Sequence, residues 1–138
     1  MTLTIKHYKR SKVLEWPYSE LAFCHIMAAK ENPILEEGDG RALIQHDHDD
    51  VECFLIFDNK DCVGACVYAI GDDVHLLNVF SIISAYLLPN YRRSIATSMF
   101  RKTIAKLSKG CKWLCRTQYT GNLTYVTKYR RLDNGRSI

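Results

Sequence analysis

Apolar and polar residues alternate from Thr2 to Tyr8, with Leu3, Ile5 and His7 in step, and this predicts a first strand. Trp16-Pro17-Tyr18 then leads to Ser19, a good helix N-cap residue. Leu21, Cys24, His25, Met27 and Ala28 follow as the apolar stripe of a helix, which Asn32-Pro33 ends. A second, short helix is expected at Ile34 to Glu37 or at Arg41 to Gln45, around Gly38-Asp39-Gly40. The polar run His46 to Asp50 reads as a loop. Val51 to Phe57 and Cys62 to Ile70 are apolar runs flanking Asp58-Asn59-Lys60-Asp61, which predicts two strands and a hairpin turn. Gly71-Asp72-Asp73 turns again. A long strand is expected from Val74 to about Leu88, closed by Pro89-Asn90.

From Ser94 to Ser108 the period changes. Ile95, Met99, Phe100, Ile104 and Leu107 recur at helical spacing, and Lys109-Gly110 supplies the stop. Cys111 to about Thr117 reads as a strand, and Tyr119 to Asn122 as a loop with a cap. Tyr125, Val126, Tyr129 and Leu132 predict a last helix from about Leu123 to Leu132. The predicted order is β-α-α-β-β-β-α-β-α. Three strands joined by tight turns make an antiparallel meander, and the crossover helix makes the next strand parallel to its neighbour. This is a single-domain α/β fold spanning residues 1–138, with a mixed, mostly antiparallel sheet flanked by helices on both faces.

Composition narrows the class. The chain has 138 residues, 47% hydrophobic and 25% charged, which excludes a disordered or low-complexity protein. No run approaches the length of a membrane span. The start, Met-Thr-Leu-Thr-Ile-Lys-His, lacks the apolar run of a signal peptide. Six cysteines in such a chain read as reduced thiols of a cytoplasmic protein, and Cys62, Cys66, Cys111 and Cys115 lie in apolar, strand-like segments, where a thiol packs as a small hydrophobe.

Charge divides the chain. Residues 1–70 carry 7 Lys/Arg against 12 Asp/Glu, a net −5, whereas residues 71–138 carry 12 against 3, a net +9. Between Asp73 and Asp133 there is no carboxylate side chain. The second half is therefore expected to meet an anion, and a phosphate-bearing cofactor and a nucleic acid both qualify.

The segment Ala85 to Phe100 carries the most chemistry. A strand end, a basic turn and a helix starting with small residues together aim backbone N–H groups and a helix dipole at a phosphate. Here the sequence resembles the GNAT family, the acetyl-CoA-dependent N-acetyltransferases. Tyr86-Leu87-Leu88-Pro89-Asn90-Tyr91-Arg92 is similar to the family's V-x-P-x-Y-R strand end. The family's Q/R-x-x-G-x-G/A loop fits in two registers. A gapless one puts Ile95 and Thr97 at the glycine positions. A shorter turn puts Ser94-Ile95-Ala96 there, with Tyr91 at the Gln/Arg position. Helical periodicity favours the second, which sends Ile95, Met99 and Phe100 toward the sheet. The resemblance implies that Leu87, Leu88, Arg92, Arg93, Ser94, Ile95, Ala96 and Thr97 contact acetyl-CoA. It also implies that the backbone near Leu87 polarises the thioester. Small proteins of this type encoded by tailed phages look similar.

The family's N-x-x-A-x-x-x-Y pattern matches Asn122 and Tyr129, with Tyr125 at the Ala position. On a helix, seven residues are about two turns, so the pair would share a face. The resemblance implies that Asn122 holds the pantetheine arm and that Tyr129 protonates the leaving thiolate. A phenol can supply that proton. The family's usual Glu on the fourth strand has no counterpart in Ser81-Ile82-Ile83-Ser84, so a base would come from His75, Asp72 or Asp73, or be absent.

The family continues with two strands after this helix. With only Asp133 to Ile138 left, the C-terminal strands read as truncated and the strand from Cys111 as an open edge. A second copy of the chain, as a homodimer, or a compact tail would cover it. His46 and His48 have the types of metal ligands, yet no further ligand follows from spacing, and no metal site is assigned. An acidic loop there would suit a cationic acceptor. The expected activity is transfer of an acetyl group from acetyl-CoA to a primary amine, on a small molecule or a protein. The alternative is an eroded scaffold that binds an acidic partner or nucleic acid through its basic half, although no nucleic-acid module is spelled out.

Overall fold

The computed structural model describes residues 2–9, 15–31, 51–72, 75–121 and 124–132. The elements are β1 (Leu3–Tyr8), α1 (Tyr18–Glu31), β2 (Glu52–Asp58), β3 (Asp61–Gly71), β4 (Val79–Leu87), α2 (Ile95–Leu107), β5 (Trp113–Gly121) and β6 (Thr124–Arg131), with a 3-10 turn at Pro89–Tyr91. They form one six-stranded sheet in sequence order, β1 to β6. Among the described strands only β4 and β5 run parallel. The α/β class, the meander and the parallel crossover are as expected. The short second helix and the His46 to Asp50 loop lie outside the described residues.

Strand alternation sends two apolar layers to opposite faces. On one face α1 sets Leu21 and Cys24 against Cys53, Leu55, Ala65, Val67 and Tyr86. On the other, Met99, Phe100, Ile104 and Leu107 of α2 cover Phe54, Ile56, Cys66, Tyr68, Phe80 and Leu114. Tyr68 and Phe80 stack with centroids 4.9 Å apart, and Phe54 meets Phe100 edge-on at 5.2 Å. The two layers tie both helices to the same strands. All six cysteines are free thiols, and all but Cys62 are buried.

Several expected boundaries change. Helix α1 begins at Tyr18, because the Pro17 carbonyl accepts the first helical bond, from Leu21 N–H at 3.0 Å. Ser19 is therefore inside the helix rather than its cap. Strand β4 begins at Val79, not Val74. Asn78, with φ of 55°, breaks the extended backbone there, and its N–H donates to Asp72 Oδ1 at 3.0 Å. Val74 lies outside the described residues.

The largest correction is at the C-terminal end. Residues 124–131 form strand β6, not a helix, and pair antiparallel with β5 from Trp113↔Arg131 to Gly121↔Thr124. Thr124, Tyr125, Val126, Thr127 and Tyr129 are β-branched or aromatic, which suits a pleated strand. Gly121-Asn122 between two such runs is a hairpin signal. Strand β5 is consequently not an edge. Strand β6 takes that position among the described residues, so the reason for expecting a homodimer to cover β5 falls away.

Candidate active-site cleft

A bulge in β4 creates the site. The β3–β4 register steps from Val67↔Ser84 to Tyr68↔Ile82, leaving Ile83 without a partner. A bulge bends its strand and ends pairing. The β4–β5 ladder accordingly stops at Ile82↔Arg116, one residue before it. Beyond that apex the strands splay. Strand β4 runs on to Leu87 paired only with β3, so its other backbone edge faces an open cleft.

The cleft has a volume of about 1080 Å³, at the upper end of the range for small-molecule sites. One wall is Ile83 to Leu87 with Thr97, Phe100 and Arg101 of α2, and the other is Leu114, Arg116 and Lys128 to Arg130 of the β5–β6 hairpin. Arg92, Arg93, Arg101, Arg116, Lys128 and Arg130 line it, and among the described residues no carboxylate does. The basic half of the sequence thus converges on one cavity, although its cations come from the turn after β4, from α2, from β5 and from β6.

Gly64 permits the β4 end to lie where it does. A Cβ there would sit 2.9 Å from Leu87 Cδ1 and 3.1 Å from the Tyr86 carbonyl oxygen. The turn after β4 is fastened by side chains. Tyr91 Oη donates to Asp58 Oδ2 at 2.7 Å, and this bond holds the Asp58 carboxyl below its usual range. Ser94 caps α2. Its hydroxyl accepts from Ala96 N–H at 3.1 Å and donates to the Tyr91 carbonyl. Arg93 adopts φ of 60°, the left-handed region that costs a non-glycine residue about 1–2 kcal/mol. Its N–H donates to Thr97 Oγ1 at 3.0 Å, which offsets part of that strain.

These bonds bear on the phosphate-loop expectation. The N–H groups of Arg92, Arg93, Ala96 and Thr97 all have acceptors within the loop itself: the Pro89 carbonyl, Thr97 Oγ1, Ser94 Oγ and the Ser94 carbonyl. Two of the four acceptors are side-chain hydroxyls, which can rotate away. Ala96 is fully buried, so the helix start packs tightly on the sheet. Ile95 is 67% exposed and does not face the sheet as the chosen register requires. Ala96, Met99, Phe100, Thr103, Ile104 and Leu107 carry the buried side, and Ile95 lies one residue, about 100°, off it.

Arg92 is engaged elsewhere. Its guanidinium pairs both oxygens of Glu31 at 2.9 Å, donates through Nε to the Leu87 carbonyl at 2.8 Å and lies over the Tyr86 ring at 5.2 Å. Arg92 holds the Glu31 carboxyl down at about 2. Burial, and then the neighbouring Glu31, push the Tyr86 phenol up to about 12. The Tyr86 hydroxyl is buried and makes no hydrogen bond of good geometry, so its contact with Glu31 is electrostatic. Sequence reasoning missed Glu31, whose partner is 61 residues away. Leu88 donates its N–H to the Val63 carbonyl at 2.8 Å and packs against both apolar layers.

Tyr129 borders the cleft from β6. Strand alternation puts its side chain on the face opposite Lys128 and Arg130, edge-on to His75 with centroids 6.1 Å apart. The shared helix face expected for Asn122 and Tyr129 does not exist, because Tyr129 is in a strand. Asn122 lies outside the described residues. Among the described residues no group of three or more metal-ligating side chains occurs, and no helix is long and apolar enough to cross a membrane.

No protein-family model matches the chain, and no curated protein matches it by sequence. Solved structures do match. An acetyltransferase of the GNAT family from Staphylococcus aureus Mu50 is similar with a TM-score of 0.64 at 15% identity, over 85% of this chain and 73% of that one. A protein from Clostridium acetobutylicum described as a predicted acetyltransferase, solved with acetyl-CoA, gives 0.63 at 12% identity, over 86% and 82%. AAC(6')-Iy, in complex with the bisubstrate analogue CoA-S-monomethyl-acetylneamine, gives 0.59 at 13% identity, over 88% and 83%. A bulged fourth strand, a parallel crossover and a splayed cleft thus sit in a chain of the GNAT N-acyltransferase fold.

Proposed function

We propose that the protein transfers an acetyl group from acetyl-CoA to an amine within the β4–β5 cleft. The observation that carries this reading is the cleft itself: splayed strands, a free β4 edge, cationic walls and, among the described residues, no lining carboxylate. A polyanionic thioester fits the cations of the β4, turn and α2 wall, and similarity to structures holding CoA derivatives supports the same reading. Bound acetyl-CoA supplies an activated acetyl thioester.

The chain's own residues take distinct parts. Arg93 and Arg101 attract the phosphates beside the α2 N-terminus, where the helix dipole adds to their charge. Their side chains do what glycine N–H groups do elsewhere, since the N–H groups of this loop are largely occupied. Leu87 and the residues before it offer the free strand edge to the amide-bearing arm. Arg92 belongs to the frame: it ties the end of α1 to the end of β4, and contacts phosphate only if Glu31 lets go. Ser94, Ala96 and Thr97 hold the helix start in place, with Ile95 and Leu88 at its borders. Tyr129 Oη carries the proton for the departing thiolate, and His75 beside it takes one from the amine.

Calorimetry with acetyl-CoA tests the reading, with micromolar to millimolar dissociation expected. Absence of heat at millimolar cofactor would sink it and leave the scaffold that binds polyanions. Tyr129→Phe is expected to lower kcat about 10²-fold with the affinity for acetyl-CoA unchanged. An unchanged kcat would remove Tyr129 from the reaction.

A further inference from the structure

Three cations stand together on the hairpin side of the cleft in an arrangement that stability alone disfavours. Arg116 and Lys128 are directly opposite one another across β5 and β6. Arg130, two residues from Lys128, is on the same face, opposite Leu114. Leu114 packs against the α2 layer, so all three cations share the α2 side of the sheet. Like charges directly opposed across a ladder destabilise it. A hairpin selected only to fold would set a carboxylate against one of them. Among the described residues no carboxylate lines the cleft and none forms an ion pair with these three. A local rule broken without compensation in the free protein marks a site completed by a ligand.

Position along the cleft separates this cluster from the loop. Arg116 pairs with Ile82 at the apex, where β4 and β5 part. The turn and the α2 N-terminus lie past Leu87, five residues further along β4, roughly 15 Å away at the rise of a strand. Phosphates drawn to Arg93 and the helix start occupy the mouth. The hairpin cations occupy the inner end, where the chemistry would take place.

We infer that Arg116, Lys128 and Arg130 form an anion-recognition cluster for the acceptor, which is an amine that also bears a carboxylate or phosphate group. The inference rests on the acetyl-transfer reading and specifies its acceptor. It reverses the cationic acceptor expected from the acidic run at residues 46–50, because three unpaired cations beside the reacting end repel a polyamine. The cluster fixes the anionic group of the acceptor and leaves its amine free to approach the thioester.

The test follows thiol release by the full chain with acetyl-CoA and a panel of amines. Aspartate and O-phosphoethanolamine are the anionic members, aspartate dimethyl ester and ethanolamine their neutral counterparts, and spermidine the cationic one. Anionic members are expected to exceed their counterparts at least 10-fold in kcat/KM, and the Lys128→Gln/Arg130→Gln variant is expected to close that gap. Its dissociation constant for acetyl-CoA should stay within twofold. Preference for spermidine or the neutral amines overturns the inference. So does a variant that weakens acetyl-CoA 10-fold with the acceptor ratio unchanged, since the cluster would then serve the phosphates of the cofactor. Should acetyl-CoA fail to bind at all, the transfer reading fails separately. Titration of O-phosphoethanolamine into wild type and variant by calorimetry then decides whether the cluster holds an anion: loss of binding in the variant supports it, and no binding to wild type overturns it.

Discussion

The two walls of the cleft are built differently. The wall of β4, turn and α2 is fastened at many points: the Ser94 cap, the Tyr91–Asp58 bond, the Arg92–Glu31 pair and a fully buried Ala96. The hairpin wall of β5 and β6 carries unpaired charge at exposed positions, with Leu114 and Cys115 as its buried anchors. One wall is arranged to hold its own shape, and the other to meet something charged. Local bonds settled at folding give positional precision, whereas uncompensated charge gives long-range attraction and selectivity.

The sharpest way to break this contrast is charge reversal at the mouth. Arg93→Glu/Arg101→Glu should raise the acetyl-CoA dissociation constant more than about 100-fold, the loss of two charge-assisted contacts. Both side chains are exposed, so the unfolding midpoint in urea should barely move. A weakened fold with intact binding would place the precision, not the attraction, in these residues. Next in size is Gly64→Ala, expected to cost about 1–3 kcal/mol in denaturant unfolding, because a methyl group would press on Leu87 and the Tyr86 carbonyl.

Ser94 offers a finer probe. Ser94→Ala should cost about 1 kcal/mol through loss of the cap, and Ser94→Gly only a few tenths. Glycine also frees the Ala96 N–H and is expected to tighten acetyl-CoA. Equal affinity in wild type and Ser94→Gly would mean that the loop backbone takes no part in binding. The smallest effect concerns pH. The Glu31 carboxyl is lower in the folded chain, at about 2, than its ordinary 4.5. The Arg92 pair therefore adds its stability fully above pH 4.5 and loses it as pH falls toward 2. The pair is half exposed, so its worth is below about 1 kcal/mol. Glu31→Gln should abolish that acid dependence in thermal unfolding.

Legibility in the sequence followed the same division. The β4–turn–α2 wall is encoded locally. Proline, a basic turn and an apolar stripe fall within sixteen residues, and each acts through its near neighbours in the chain. The hairpin wall could not be read this way. Tyr125, Val126, Tyr129 and Leu132 satisfy a helical period, while Thr124 to Arg131 equally satisfy a strand. Only the free side of β5, waiting for a partner, decides between the two. The same holds for Ile95, apolar in step with Met99 but turned to solvent, and for Arg92, basic in a phosphate-loop phrase but paired with Glu31.

The sequence by itself determined the α/β class, the meander, the crossover helix and the gathering of positive charge in the second half. Those features depend on periodicity, turn chemistry and composition, which act over a few residues. Tertiary structure decided that residues 124–131 are a strand, that a bulge at Ile83 opens the cleft, and which arginines face it unpaired. Strand pairing, sheet registers and ion pairs across 61 residues join distant parts of the chain, and only the assembled sheet sets their distances.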